Sequence, residues 1–543
     1  MDSVRKTVRT RAVILAIPLI AAFALAGCTG GTGGTGGTAN ASIIIGTTDP
    51  LTTLDPAGSY DNGSLAVQTQ VFATLLDSAQ GESDVKPDIA VSAEYTSPTE
   101  YTVVLKPDLK FANGHALTSS DVKFSFDRQV KINDPSGPAY LLGNLDHIDT
   151  PDAVTVVFTL KTDNDVIFPK ILSSPAAWIV DEDVFSATAI TPDKDIVDAN
   201  AFEGPYVISS FDFNTLITYA PNTAYAGQYG APKTGDITVK YYTDPSNLKL
   251  DVQSGAVDIA YRSLNPTDIE DLRGDSKVSV LDGPGGQIRY MVFNFATMPF
   301  GTATADADPA KALAVRQAIA DTINRQEISD QVYKGAFVPL FSYIPDGLNG
   351  ATPVFEDKYG DGKGAADLGK AKQALADAGV TLPVALNIQY NPDHYGSASA
   401  DEWALIKSQL EESTLFTVTL NSTEWVTYKT EYSKDGYPIF QLGWFPDYAD
   451  GENYLTVFFK SDGSFFNNHY KDTDVDNLIV AQASELDPAK RTADLESIQD
   501  KVSDQISTLP LLQGHEVAVT GTDISGVVLD ASNKFRYSSL VKG

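Results

Sequence analysis

The sequence predicts an α/β protein of more than one lobe with a cleft between the lobes, and three observations carry that expectation. Strand-like alternation and helical periodicity are interleaved along the whole 543 residues rather than gathered into separate blocks. More than 500 residues follow the N-terminal leader, too many for one hydrophobic core. Residues 283–287, with their Gly-Pro-Gly-Gly break, and residues 503–511 read as crossings between lobes. A chain that crosses out and back leaves a cleft.

Taken in order, Ser42-Ile43-Ile44-Ile45-Gly46 reads as a first buried strand, followed by the turn Thr52-Thr53-Leu54-Asp55-Pro56. From Leu65, the apolar positions Val67, Val71, Phe72, Leu75 and Leu76 recur at helical spacing. Residues 101–105 and 154–160 alternate as strands. Between them Thr118-Ser119-Ser120-Asp121 offers an N-cap to a helix entered by Val122, Phe124, Ser125 and Phe126. Helices are expected over 308–324, with Pro309 in the first turn, and over 367–378, stopped by Gly379. Residues 439–445 form a strand candidate that ends at Pro446. No tandem repeat is present.

The N-terminus is an address rather than fold. Arg5, Lys6, Arg9 and Arg11 precede an apolar stretch, residues 12–26, of secretory-signal length and too short for a bilayer span. It ends in Leu25-Ala26-Gly27-Cys28, which holds the chain's one cysteine. These four residues resemble the lipobox of bacterial lipoproteins. The resemblance implies that residues 1–27 are removed and that Cys28 becomes a lipidated N-terminus, an anchor that holds through buried methylenes. The Gly/Thr tract after it has too little apolar surface to fold, so 28–41 is expected to be a tether.

Removing residues 1–27 takes away four basic and one acidic residue, so the formal charge of −32 becomes −35. Nucleic acid is excluded as a partner by such acidity. No cysteine remains for a disulfide in an oxidising compartment.

Catalysis finds no support. The five histidines (115, 147, 394, 469 and 515) lack metal-site spacing. No nucleophile elbow, Walker A loop or calcium loop is present, and no cofactor or metal is expected. Trp425, Tyr428, Tyr432, Tyr437, Trp444, Phe445, Tyr448 and Tyr454 crowd together with Asp447, Asp450 and Glu452. That composition fits either a core with an acidic edge or amphipathic rings lining a pocket.

Five segments in order resemble the dipeptide/oligopeptide-binding family 5 of solute-binding lipoproteins that serve ABC importers. They are Thr48-Asp49-Pro50 through Leu54-Asp55-Pro56-Ala57 with 70–76; Leu105 to Gly114 followed by Leu117 to Arg128; Phe202-Glu203-Gly204-Pro205-Tyr206; Val315-Arg316-Gln317-Ala318-Ile319-Ala320; and Gly443-Trp444-Phe445-Pro446-Asp447-Tyr448. The first half of the Phe202 segment departs from the family's Gly-Thr-Gly-Pro-Tyr.

The resemblance implies a two-lobed α/β clamp of the periplasmic-binding-protein-like class II, with an extra subdomain in lobe I. Lobe I is expected over 42–283, lobe II over 284–505, and the return to lobe I over 506–543. The resemblance also implies a peptide lying in the interlobe cleft and bonded through its backbone like an added strand. Gly443, Trp444 and Phe445 then match the lobe II strand, Tyr60-Asp61-Asn62-Gly63 the facing loop with Asp61 and Asn62 as its candidate site residues, and Asp447 the partner of the ligand's α-ammonium. Gln441 and Tyr432 stand where relatives carry basic side chains, a departure from the peptide pattern. Trp425 and Trp444 would serve an oligosaccharide as platforms, the alternative ligand; a surface-anchored hydrolase is the alternative of another class. The expected partners are a small solute, an ABC permease with its ATPase, and the membrane through the lipid alone. A monomer on the outer face of the cytoplasmic membrane is expected.

Overall fold

The computed structural model describes residues 42–532 and 534–543; the leader, Cys28 and the Gly/Thr tract lie outside the described residues. Three sheets organise the chain. The first lobe is built on seven strands in the order Val278–Gly283, Glu516–Gly521, Ile259–Tyr261, Ile43–Thr47, Ile237–Tyr241, Leu216–Pro221 and Tyr206–Asp212. Ile43–Thr47 runs parallel to both of its neighbours. Ile43 and Ile45 enter one core while Ile44 packs against another on the opposite face, which is why the strand reads as an unbroken apolar run.

The second lobe is built on six strands in the order Phe337–Pro339, Thr508–Gly514, Ile288–Phe293, Ile439–Trp444, Val384–Tyr390 and Phe416–Ser422. The chain leaves the first sheet at Gly283 and enters the second at Ile288. The glycines between are required by close approach. A Cβ at Gly285 would stand 1.8 Å from the Gly514 carbonyl oxygen, and one at Gly286 2.6 Å from Pro446 Cγ.

The return expected at 506 is corrected. Thr508–Gly514 is buried throughout and pairs with Ile288–Phe293 on one side and Phe337–Pro339 on the other, so it belongs to the second sheet. The chain goes back at His515, between Gly514 and the first-lobe strand Glu516–Gly521. Beyond it Phe535, Tyr537 and Leu540 fill the first-lobe core.

A four-stranded sheet, in the order Ala90–Ser97, Glu100–Leu105, Thr155–Leu160 and Leu145–Asp149, carries a further core with the helix Ser119–Ile132. Thr118 and Asp121 close a reciprocal capping box at the start of that helix. Near its end Arg128 makes a two-pronged bond to Asp55, 2.8 Å on each arm and wholly buried. The Leu-Asp-Pro turn is thereby tied to the subdomain.

The helix expected to run through Leu76 stops at Val71. Glu203 and Gly204 donate their backbone N–H groups to the Val71 carbonyl, and the Glu203 carboxyl accepts from Ala73 N at 2.9 Å. Tertiary bonds replace the next helical turn. The helices Pro309–Thr322 and Leu368–Asp377 are capped by Asp308 and Asp367, and Gly379 follows the second at φ +66°.

Candidate functional site

Every residue of Ile439–Trp444 is buried, and the strand lies between Ile288–Phe293 and Val384–Tyr390. Gly443 faces Arg289 in register, and a Cβ on it would stand 2.6 Å from the Ile288 carbonyl oxygen. Gln441 is committed within the lobe. Its Oε1 accepts from Asn391 N at 2.9 Å, and its Nε2 donates to Ser399 Oγ at 3.3 Å.

After Pro446 the chain turns and presents Asp447 to the first lobe. The carboxylate is 4% exposed and accepts from three neutral donors: Tyr60 Oη, Tyr140 Oη at 2.9 Å and Asn453 Nδ2 at 3.0 Å. Asn453 Oδ1 in turn accepts from Asp447 N at 3.0 Å and from Trp444 Nε1 at 2.9 Å, which fixes the turn to the indole. No basic side chain forms an ion pair with Asp447 among the described residues. Burial therefore raises its carboxyl above the ordinary carboxylate range, against the pull of these hydrogen bonds.

Tyr60, from the expected facing loop, and Tyr140, which sequence reasoning passed over, are the first-lobe groups that reach Asp447. Asp61, chosen from the same loop for its charge, caps the helix Asn62–Val71 by accepting from Ser64 N at 2.8 Å and Ser64 Oγ at 2.9 Å. Asn62 is the first residue of that helix. Tyr432 lies in the second-lobe core, stacked on Phe440 at 5.5 Å. Trp425 stacks on the His394 ring at 3.9 Å and 4°, and burial lowers that imidazole to about 3. Phe445 is met by a guanidinium from each lobe, Arg262 at 5.0 Å and Arg289 at 5.9 Å.

Further bonds close the seam. Lys170 of the subdomain reaches Asp450 at 3.1 Å and the Ala449 carbonyl at 3.3 Å, while Arg491 grips Asp450 from within the second lobe at 2.6 and 3.1 Å. Burial opposes the charge on Asp450, yet Arg491 and Lys170 hold its carboxyl below the usual range. Val166 N donates to the Ala483 carbonyl at 2.9 Å. These bonds hold the lobes against each other along the seam, and the cavity of about 10 Å³ beside Asp447, Lys170 and Lys534 is small next to any solute.

Among the described residues one set has the donors for a cation, His115, Asp181 and Asp183. It belongs to the first lobe, and Asp181 is already bonded to His115 Nδ1 and Asn113 Nδ2, each at 2.8 Å.

Two sheets joined by a double crossing, with aromatic and acidic side chains meeting at the seam, define a two-lobed α/β binding clamp. Residues 84–466 match the family described as bacterial extracellular solute-binding proteins, family 5 Middle, and the chain belongs to that family. It is 26% identical over 501 residues to the probable D,D-dipeptide-binding periplasmic protein DdpA of Escherichia coli, covering 90% of this chain and 91% of that one. The ABC transporter substrate-binding protein CtaP of Listeria monocytogenes has the same fold, with TM-score 0.77 at 22% identity over 93% of this chain and all of that one. So does the periplasmic binding protein DppA of Helicobacter pylori, solved with the peptide STSA, with TM-score 0.74 at 18% identity over 92% and 98%. The family is one of extracytoplasmic binding proteins of ABC transport, not of enzymes. Among the described residues, no helix is long and apolar enough to cross a membrane.

Proposed function

We propose that this clamp captures peptides between its lobes and delivers them to an ABC permease, with Asp447 receiving the ligand's α-ammonium. The observation that carries the reading is a buried carboxylate whose hydrogen bonds are satisfied but whose charge is not. Three neutral donors supply direction without neutralisation. A peptide ammonium supplies both, and it would enter where the two tyrosine hydroxyls now sit, once the lobes part. Gly443, Trp444 and Phe445 then border the ligand on the second-lobe side. The names of the relatives, DdpA and the peptide-bound DppA, point the same way.

Delivery requires the clamp to stay near its permease. Lipidation of Cys28, with residues 29–41 as tether, provides this on the outer face of the cytoplasmic membrane. The test is calorimetry of the purified mature protein with a pool of short peptides, the same pool N-acetylated, and neutral oligosaccharides. Free peptides are expected to bind more than tenfold tighter than their acetylated forms. Binding of oligosaccharides in place of peptides would overturn the reading.

A further inference from the structure

His115, Asp181 and Asp183 of the first lobe bring an imidazole and two carboxylates together, with one donor atom of each within 4.8 Å of the others. His115 Nδ1 stands 2.8 Å from Asp181 Oδ2 and 3.8 Å from Asp183 Oδ2. The imidazole and Asp183 face solvent, while the Asp181 side chain is 1% exposed. A buried carboxylate therefore lies at the bottom of an open mouth.

The local fold holds these groups in place. Phe111 N donates to the His115 carbonyl at 3.0 Å and Gly114 N to the Phe111 carbonyl at 2.9 Å, a tight turn in which Gly114 takes φ +93°. Asn113 Nδ2 donates to Asp181 Oδ2 at 2.8 Å, and its Oδ1 accepts from His115 N at 3.0 Å. Asp183 N donates to Asp181 Oδ1 at 3.0 Å. Bonds of this kind behind a ligand atom fix its orientation toward a metal.

Charge points to a cation independently of that geometry. Among the described residues no Lys or Arg forms an ion pair with Asp121, Asp181, Glu182, Asp183 or Glu203. Asp121, Asp181 and Glu203 are buried. Glu203 Oε2 is buried without a hydrogen-bond partner, and burial, with Asp121 and Asp181 adding to it, pushes that carboxyl well up. Other histidines that meet acids lack this setting. His147 reaches Asp146 through Nδ1 and Asp149 through Nε2, all more than half exposed, so one ion could not join the three. His469 meets Asp435 alone.

We propose that His115, Asp181 and Asp183 hold one divalent cation of the zinc type, with water completing its shell, as a structural site of the first lobe. Two lone pairs do not face each other at 2.8 Å, so a proton or a cation lies between Nδ1 and Asp181 Oδ2. With the ring proton on Nε2, Nδ1 is free to bind the metal. Zinc bonds of about 2.0–2.2 Å place tetrahedral ligand atoms about 3.4 Å apart, and the distances of 2.8 and 3.8 Å bracket that value. An imidazole with two carboxylates suits zinc, nickel or copper, whereas calcium and magnesium take oxygen shells. His115 and Asp181 are 66 positions apart, which is why the histidine spacing shows no metal motif. Glu182 N donates to Asp121 Oδ1 of the capping box at 3.3 Å, so the cation would brace the entry of the helix Ser119–Ile132. The site is independent of the solute on Asp447.

The test is calorimetry of the metal-stripped, untagged protein with zinc chloride, beside His115→Ala, Asp183→Asn and Asn113→Ala. Wild type is expected to bind one zinc ion per chain and to melt at higher temperature with zinc than without it. His115→Ala and Asp183→Asn, both at exposed positions, should weaken zinc more than about tenfold, and Asn113→Ala, which bonds only to the ligands, by about 10–100-fold. Cobalt chloride gives a second readout, a visible absorption band in wild type that His115→Ala lacks. Equal zinc affinity in wild type and His115→Ala would reduce the binding to general acidity and overturn the assignment. So would displacement of zinc by equimolar calcium, or no saturable uptake by wild type. The preference of wild type for zinc over calcium and magnesium needs no variant to fold.

Discussion

Lys170→Met separates closure of the clamp from recognition by it. The substitution keeps the apolar stem and removes the one charge that the subdomain sends to Asp450. Asp450 remains gripped by Arg491 at 2.6 and 3.1 Å, so the second lobe keeps its internal pair. What disappears is an ion pair of 3.1 Å and a hydrogen bond of 3.3 Å to the Ala449 carbonyl across the seam, from a side chain 19% exposed. Hydrogen bonds to charged groups contribute about 1.5–3 kcal/mol. In the open clamp the ammonium is rehydrated, so the share that favours closure is about 1–2 kcal/mol. At about 1.4 kcal/mol per decade, apparent peptide affinity should fall roughly five- to thirtyfold. Small-angle scattering should show the unliganded variant more extended than wild type. The ratio of affinities for free and N-acetylated peptide should stay at its wild-type value, because the lost bonds go to Asp450 and the Ala449 carbonyl, not to Asp447. Unchanged affinity and unchanged scattering would refute the claim that this bond holds the seam.

Four other outcomes follow from the same geometry. Asp447→Asn should abolish the preference for free over N-acetylated peptide, at a cost of about 2–5 kcal/mol in binding the free form by calorimetry. Burial pushes Glu402 and Glu452 up to about 7 from their ordinary 4.5, so the stability they contribute is full below about 4.5 and lost as pH rises through 7; the melting temperature should drop over that window, and the double Gln variant should drop less. Asp55→Ala leaves the Arg128 guanidinium buried without its acid and should cost about 3–5 kcal/mol in denaturant unfolding. Cys28→Ser should block lipid labelling and leave the leader uncleaved at this site, both visible by mass spectrometry.

Local rules were legible in the sequence and distant partnerships were not. Thr118, Asp308 and Asp367 cap their helices through backbone N–H groups two or three residues away, so the capping residue type declares itself. The Asp55–Arg128 pair joins two segments both visible as motifs, but 73 positions apart no periodicity connects them. Thr508–Gly514 shows why the return to the first lobe was misplaced. A strand buried on both faces has no alternation, and its apolar run does not say which of two sheets it enters. In the cleft, the charge of Asp61 drew attention that belonged to Tyr60 beside it. A cap and a ligand contact both favour a short acidic side chain, and only the fold shows that Ser64 takes the carboxylate while the tyrosine crosses the seam.

The tyrosines explain how one carboxylate can serve both an empty and a loaded clamp. Tyr60 and Tyr140 stand with their hydroxyl oxygens 2.9 Å apart and each spends its one hydroxyl proton on Asp447, so the empty closed form supplies a donor to both carboxylate oxygens. Its charge is still buried without an ion pair among the described residues, which holds the empty closed form above what the same contacts would give around a cation. On the proposed reading, a ligand ammonium removes that penalty only in the closed form, because in the open form water solvates Asp447. Its differential affinity for the two states is therefore set largely by the charge, and a population shift can be no larger than that difference. If Asp447 holds the ligand ammonium as proposed, closure reports a cation there, and solutes that match the cleft in shape but lack the charge close it less completely.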